Sequence, residues 1–415
     1  MFFKTIVLAS FALSFPSFAT SAYVKPEGYK VPAIRLRADA GASLNLPSGT
    51  YFGLDDALFL DNQDIVAKFL YYAREERSGL LRFSKDSGLD AAFMPNGSFP
   101  SGASVNPTSG DFVFEQVNYG YFSEGVMTLS HDFKTLRRSF FDKKYVFTAA
   151  PQVVSSEGNV VVRDVKDDAT QGLSVVQNGQ IQELLSSSAR NPKSSYSYLF
   201  SQIAQPNGLL ALKVRHGTAG QIDESQGDEI LLIDLRHSPA VVTSLLQDAD
   251  LDATSPFTGF DNTGALNANG DIAWIVRLKN GHRALVLKSM AGAPKILVEE
   301  TRSRIRTFSA FHVSMNPRGD IAFRATDIEG LEGVWRVDAN GALFPVIREN
   351  DRMKTDQGPA LVGVSGDYGG VIFMSPQVNT VGDILVGARL RSDEARTRDI
   401  GLGYFVVEPD TRSMQ

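Results

Sequence analysis

The sequence holds no cysteine in 415 residues, so disulfides, thiolate metal sites and a cysteine nucleophile are all excluded. It lacks a basic surplus: 41 Lys and Arg against 47 Asp and Glu leave a formal net charge of -6, which excludes the electrostatic footprint of a nucleic-acid-binding protein. Its five histidines, His131, His216, His237, His282 and His312, show no metal-ligand spacing, and no serine sits in G-x-S-x-G. After the N-terminal segment no run of eighteen or more apolar residues occurs, so no transmembrane helix is expected. Helical periodicity is almost absent as well.

At the N-terminus Lys4 opens a short positive region, Thr5 to Leu13 is apolar, and Ser17 to Ala22 is a run of small residues around Phe18. That order predicts a secretory signal peptide over residues 1–22, with cleavage after Ala22 or, as the alternative, after Ala19. No cysteine follows the apolar stretch, so no lipid anchor is expected. An exported chain of this size without cysteine points to a bacterial envelope protein, in the periplasm or on the cell surface.

What the sequence has in abundance is one repeated unit. Leu266 to Leu287, LNANGDIAWIVRLKNGHRALVL, reads as turn, strand, short connection and strand, and it is written again from Met315 and from Val378. Aligned on the residue before the aspartate, seven copies stand at Gln63, Gly110, Gly158, Gly208, Gly270, Gly319 and Gly382. The next position holds Asp64, Asp111, Asn159, Leu209, Asp271, Asp320 and Asp383, and the three after that are apolar in every copy. A strand that is apolar on both faces lies inside stacked sheets. With one strand before the turn and another after the second strand, each copy supplies four strands, the content of a propeller blade. The expected fold is therefore all-β: a single seven-bladed β-propeller of four-stranded antiparallel blades over residues 23–415. The last copy, starting near Gly366, runs out of strands after Glu408, while Val31 to Arg37 precedes the first copy and matches Pro345 to Arg348 in pattern. The N-terminal strand is expected to complete the last blade and close the ring. A parallel β-helix would need shorter coils.

The N-x-x-G-D-I-A-[FW] element, with Gly333-Val334-Trp335 after one copy, resembles the repeats of bacterial exported β-propeller proteins over nearly the whole chain from Tyr23 to Gln415. This resemblance implies the fold and no single activity, because propellers host enzymes, binders and scaffolds. The S-x-D-x-G-x-T-W box of sialidases, the recurring G-G of kelch repeats and the tryptophan docking motif of quinoprotein dehydrogenases are missing.

Candidate site residues lie where the repeats differ. The recurring turn aspartates read as structural, fixing the turn through local backbone bonds. Three steps beyond the apolar start of the second strand come Lys68, Glu115, Arg163, Lys213 and Arg324, expected on one rim and suited to an anionic ligand such as a carboxylate-bearing glycan or an acidic partner surface. The bland alternative pairs each with a local acid, Arg163 with Asp164 for instance. The connections that follow hold Tyr71, Tyr72, Arg74, Tyr119, Tyr121, His216, Arg389 and Arg391, plus an acidic run from Asp223 to Glu229. Tyr and Arg on loops of a rigid scaffold make binding surfaces. Asp248, Asp250 and Asp252 form D-x-D-x-D, the start of a calcium loop, but Ala253 and Gly259 stand where that loop needs glycine and glutamate; calcium is a weak candidate and no other cofactor is expected. The expected function is non-catalytic binding or scaffolding in the envelope, by a monomer, with a protein or a cell-wall or surface glycan as partner. A carbohydrate-active lyase or hydrolase at the mouth of the central channel is the alternative, and a component of a pilus or secretion machine is a third reading.

Overall fold

The turn that opens each copy needs a backbone that side-chain-bearing residues avoid. In all seven copies the alignment residue has positive φ: 74° at Gly110, 86° at Gly158, 90° at Gly208, 86° at Gly270, 83° at Gly319 and 94° at Gly382, with Gln63 at 65°. Six glycines out of seven follow from that requirement. The asparagine three residues earlier completes the turn. Asn267 Oδ1 accepts the Asp271 N–H at 3.0 Å while its amide donates to Asp271 Oδ2 at 3.1 Å, and Asn316–Asp320 and Asn379–Asp383 repeat the pattern. The aspartates are structural, but in these three turns the backbone N–H goes to the asparagine and the carboxylate takes the amide; at Asp111 the carboxylate accepts a backbone N–H, that of His131.

The computed structural model describes residues 33–37 and 51–408 except 73–75, 85–87, 96, 119–122, 143–144, 148–150, 167–169, 219–225, 311, 356–357, 364–369 and 393–398. The proposed signal peptide with Ala22 and Ala19 falls outside these residues. Seven antiparallel sheets follow in chain order, and no helix occurs among the described residues. The second strands are Ile65–Tyr72, Phe112–Asn118, Val160–Lys166, Leu209–His216, Ile272–Leu278, Ile321–Asp327 and Ile384–Ser392, one per sheet. Seven apolar clusters separate the sheets, one at each blade-to-blade interface. Trp274 packs with Leu209, Leu232 and Leu246 of the fourth blade, and Trp335 with Leu285 and Val298 of the fifth. The seventh blade packs on the first through Leu385, Tyr404, Ala57 and Ile65.

The ring closes as expected. Ala33–Arg37 runs antiparallel to the last strand, Asp399–Val407, with Ala33 opposite Val406 and Arg37 opposite Gly403. The seventh sheet is larger than four strands. A hairpin of Arg352–Thr355 and Gly358–Val362, together with the short piece Gln377–Val378, supplies its inner side, and the sheet has six strands. Gly366, where that inner strand was expected to begin, lies outside the described residues.

Inner strands line the central channel and are tied blade to blade. Ser104 Oγ accepts the Val153 N–H at 3.0 Å, Gln152 Oε1 the Ala204 N–H at 2.6 Å, and Gln205 donates to the Leu266 carbonyl at 2.7 Å. Further round, Asn269 donates to the Pro317 carbonyl at 2.9 Å, Ser314 Oγ accepts the Val378 N–H at 3.1 Å, and Gln377 Oε1 accepts the Phe59 N–H at 2.9 Å, linking the last blade to the first.

In the fifth and sixth blades the inner strand is broken in two, Phe257–Phe260 with Ala265–Leu266 and Ile305–Phe308 with Ser314–Met315. The break at Asp261 to Gly264 is supported from below by Trp274, whose Nε1–H donates to the Asp261 carbonyl at 2.7 Å. A side chain at Gly264 would meet the indole at 2.3 Å and the Ala273 carbonyl at 2.5 Å. Gly264→Ala is therefore expected to cost about 1–3 kcal/mol of stability, measured as a lowered midpoint in denaturant unfolding, whereas Gly281→Ala, which meets no atom but has φ of 85°, should cost less.

Candidate functional site at the channel mouth

The broken inner strands open a cavity of about 720 Å³ where the second strands end, on the face that carries the connections between second and third strands. Ser201, Thr263 and His312 line both this cavity and the channel of about 610 Å³ beneath it, so the cavity is the mouth of the channel. Five cationic side chains, Arg163, Lys213, Arg215, Arg277 and Arg283, face two carboxylates, Asp228 and Asp261. Tyr198 and Phe200, edge to face at 4.7 Å, form an aromatic wall.

Three of the cations reach the inner strand of the next blade. Arg163 donates to the Leu199 carbonyl at 2.7 Å, Lys213 to the Phe260 carbonyl at 2.8 Å, and Arg283 to the Phe308 carbonyl at 2.6 Å. Asp228 is buried between Lys213, at 2.8 Å, and the fork of Arg215, at 2.6 and 2.9 Å. Asp261 pairs with Arg283. Burial pulls the Lys213 ammonium below the ordinary lysine range, and Asp228 opposes that shift. Burial pushes the Asp261 carboxyl up, opposed by Arg283. Burial lowers Arg163, opposed by Tyr198, over whose ring its guanidinium lies at 5.9 Å. Lys213 lies 4.2 Å from the Phe200 ring centroid. Arg277 stands directly opposite Arg283 across the strand pair, and the Asp261 carboxylate, paired with Arg283, attracts both.

Arg163 and Lys213 were expected on an exposed rim. They are instead 8% and 2% exposed, packed between blades, because their carbonyl partners lie on the neighbouring inner strand. Asp164, offered as the local acid for Arg163, pairs with Arg190 at 2.7 Å. Arg324, at 8% exposure, belongs to a second group between the sixth and seventh blades, paired with Glu332, whose other oxygen accepts the Val371 N–H at 2.7 Å. Arg389 and Arg391 lie in the adjoining second strand, and Arg391 bonds Asn350. His216 is beside the mouth without lining it: its ring bonds Glu229 at 2.9 Å and meets Tyr196 edge to face at 5.2 Å. Lys68 is half-buried in the first blade, and Tyr71 and Tyr72 end the same second strand. Arg74, Tyr119 and Tyr121 lie outside the described residues. The acidic run does not stay a loop, since Asp228 and Glu229 start a third strand, Asp228–Asp234.

Asp248, Asp250 and Asp252 do not converge. Asp248 accepts the backbone N–H groups of Asp228 and Asp250 at 2.8 and 3.1 Å, while Asp252 caps Thr254. In this arrangement the Asp248 and Asp252 oxygens serve turn geometry. Among the described residues no group of three or more His, Asp or Glu side chains is placed to hold a metal.

Tyr198, Phe200, Asp261, Arg277 and Arg283 escaped the sequence reading, and Asp228 entered it only as part of the acidic run. A signal for three of them existed: Asp261-Asn262-Thr263-Gly264 interrupts an apolar inner strand, and Arg277 and Arg283 flank the hairpin of the most regular copy.

No protein-family model matches the chain, and no curated protein matches its sequence. Solved structures do match in shape. An oligogalacturonate lyase in complex with manganese superposes with a TM-score of 0.55 at 11% identity over 96% of this chain and all of that one. The oligogalacturonate lyase of Vibrio parahaemolyticus gives 0.51 at 9% identity over 94% and 98%. The propeller domain of the Trilobed protease from Pyrococcus furiosus, described as having an open velcro topology, gives 0.54 at 10% over 87% and 95%. At such identities the likeness is one of fold: a seven-bladed β-propeller.

Glu115 occupies the same strand position as the buried cations, is 2% exposed, and has a carboxylate oxygen with no hydrogen-bond partner. Burial raises its pKa to about 7, partly opposed by the Ser123 hydroxyl. The folded state therefore holds this proton more tightly than the unfolded chain, and stability falls as pH rises from about 4.5 to about 7 and stays lowered above it. Glu115→Gln is expected to remove that part of the slope and to stabilise the protein at pH 8 by on the order of 3 kcal/mol, read from denaturant midpoints of both proteins across the range.

Proposed function

We propose that this is a non-catalytic recognition protein of the bacterial envelope whose channel mouth binds a carboxylate-bearing oligosaccharide. The observation that carries the reading is the excess of five cations over two carboxylates in a cavity of about 720 Å³ with an aromatic wall. Guanidinium forks recognise carboxylates, aromatic faces stack on the apolar face of a sugar ring, and Ser201, Thr258, Asn262 and Thr263 supply neutral bonding groups for hydroxyls. Arg277 opposite Arg283 is the place for the ligand's charge. That two structural neighbours act on oligogalacturonate supports this ligand class. Export rests on the N-terminal segment.

Lys213 argues against its use as a base. Its ammonium has three acceptors, Phe260 O, Asp228 Oδ2 and Asn262 Oδ1, one for each proton. One observation favours the second reading, a lyase or hydrolase: Asp261, pushed up by burial, shares the mouth with His312.

Calorimetric titration with oligogalacturonate and with its methyl ester tests the proposal. The acid form should bind, the ester should not, and Arg277→Ala should weaken binding about tenfold, the loss of one charge-assisted contact of about 1.4 kcal/mol. Equal binding of acid and ester, or indifference to Arg277→Ala, overturns it. Release of shortened products during titration would favour the enzyme.

A further inference from the structure

Each blade ends in an outer strand with one unpaired edge, and such edges pair with other chains unless charge or proline protects them. Six of the seven are protected in that way. Gly88–Phe93 carries Asp90, Leu136–Phe140 carries Arg137 and Arg138, and Gln180–Ser186 carries Glu183. Lys295–Glu299 has a charge at each end, Leu343–Arg348 has Pro345 and Arg348, and Ala33–Arg37 has Arg35 and Arg37. The outer strand of the fourth blade, Val241–Gln247, reads VVTSLLQ, with no charge and no proline. Its first four residues are exposed, Val241 at 45% and Val242 at 44%.

We propose that this edge pairs antiparallel with the same edge of a second copy, forming a two-fold dimer through a continuous sheet. Self-pairing sets every residue against the same strand in reverse, so a charge at the centre of the strand, such as Arg138 or Glu183, would meet its own sign; Val241–Gln247 carries no charge and no proline at any position. The ends of the strand select the antiparallel sense. Before it stands the turn with Arg236, its side chain 51% exposed above the mostly buried Asp234. After it stand the exposed Asp250 and Asp252. An antiparallel pairing centred on Ser244 carries the Arg236 turn of each copy toward Asp250 and Asp252 of the other, twice per dimer. The D-x-D-x-D motif thereby acquires a role. The edge lies on the rim of the disc, away from the channel mouth, so the dimer leaves both mouths open and stands independently of the ligand reading.

Light scattering on the purified protein over a range of concentrations should show a dimer that dissociates on dilution and in high salt. Val242→Lys, at an exposed position, should give a monomer with an unchanged unfolding midpoint. Arg236→Glu and the double variant Asp250→Lys, Asp252→Lys should each be monomeric alone and should form a mixed dimer when combined, because the mixture restores opposite charges at both ends. A monomer at every concentration overturns the proposal, and so does a dimer that survives Val242→Lys or a mixture of the charge variants that stays monomeric.

Discussion

Side chains from one blade bonding the inner strand of the next hold this ring together, and they do so on two levels. Around the channel the ties are neutral: Ser104, Gln152, Gln205, Asn269, Ser314 and Gln377 each reach a backbone group of the following blade. Nearer the mouth they are cationic, with Arg163, Lys213 and Arg283 on the carbonyls of Leu199, Phe260 and Phe308. A hydrogen bond of this kind adds about 1 kcal/mol net, less than the apolar cluster at the same interface. Its importance is directional. Apolar clusters set how closely two blades pack, whereas a bond to a named backbone atom sets their height relative to one another.

The cationic ties explain why the mouth has the charge it has. A lysine or arginine buried for structural reasons must be compensated, and Asp228 and Asp261 provide part of that compensation. The guanidinium groups of Arg277 and Arg283 face the cavity where the inner strands of the fifth and sixth blades are broken. Frame and site are built from the same residues, which couples them: removing Lys213 or Arg283 would disturb the ring as well as the mouth, and Arg277, exposed at the strand end, is the better probe of binding alone.

The fourth blade carries two distinct surfaces. Its second and third strands bring Lys213, Arg215 and Asp228 to the mouth, and its outer strand presents an unprotected edge to the rim. Blades of one repeat pattern diverge most where the pattern imposes least. The second strand is apolar in every copy because it is covered on both faces, while the outer strand meets the next blade with only part of its surface and is free to vary.

Blade count, the identity of the second strands and ring closure by an N-terminal strand were all legible in the sequence, because each rests on local chemistry. Positive φ calls for glycine, a doubly covered strand is apolar throughout, and the strand Ala33–Arg37 repeats the outer-strand pattern of Leu343–Arg348. The positions of Arg163, Lys213 and Arg324 were legible too, as departures from an apolar pattern. Their burial was not, since it depends on carbonyls of a blade some forty residues away along the chain. Nor was the pairing of Arg277 with Arg283, the aromatic wall of Tyr198 and Phe200, or the break at Asp261. A sequence determines which residues lie on which strand; only the closing of seven sheets about one axis decides which strand ends meet at the mouth, because that meeting is set by contacts between blades and leaves no periodic trace within any one of them.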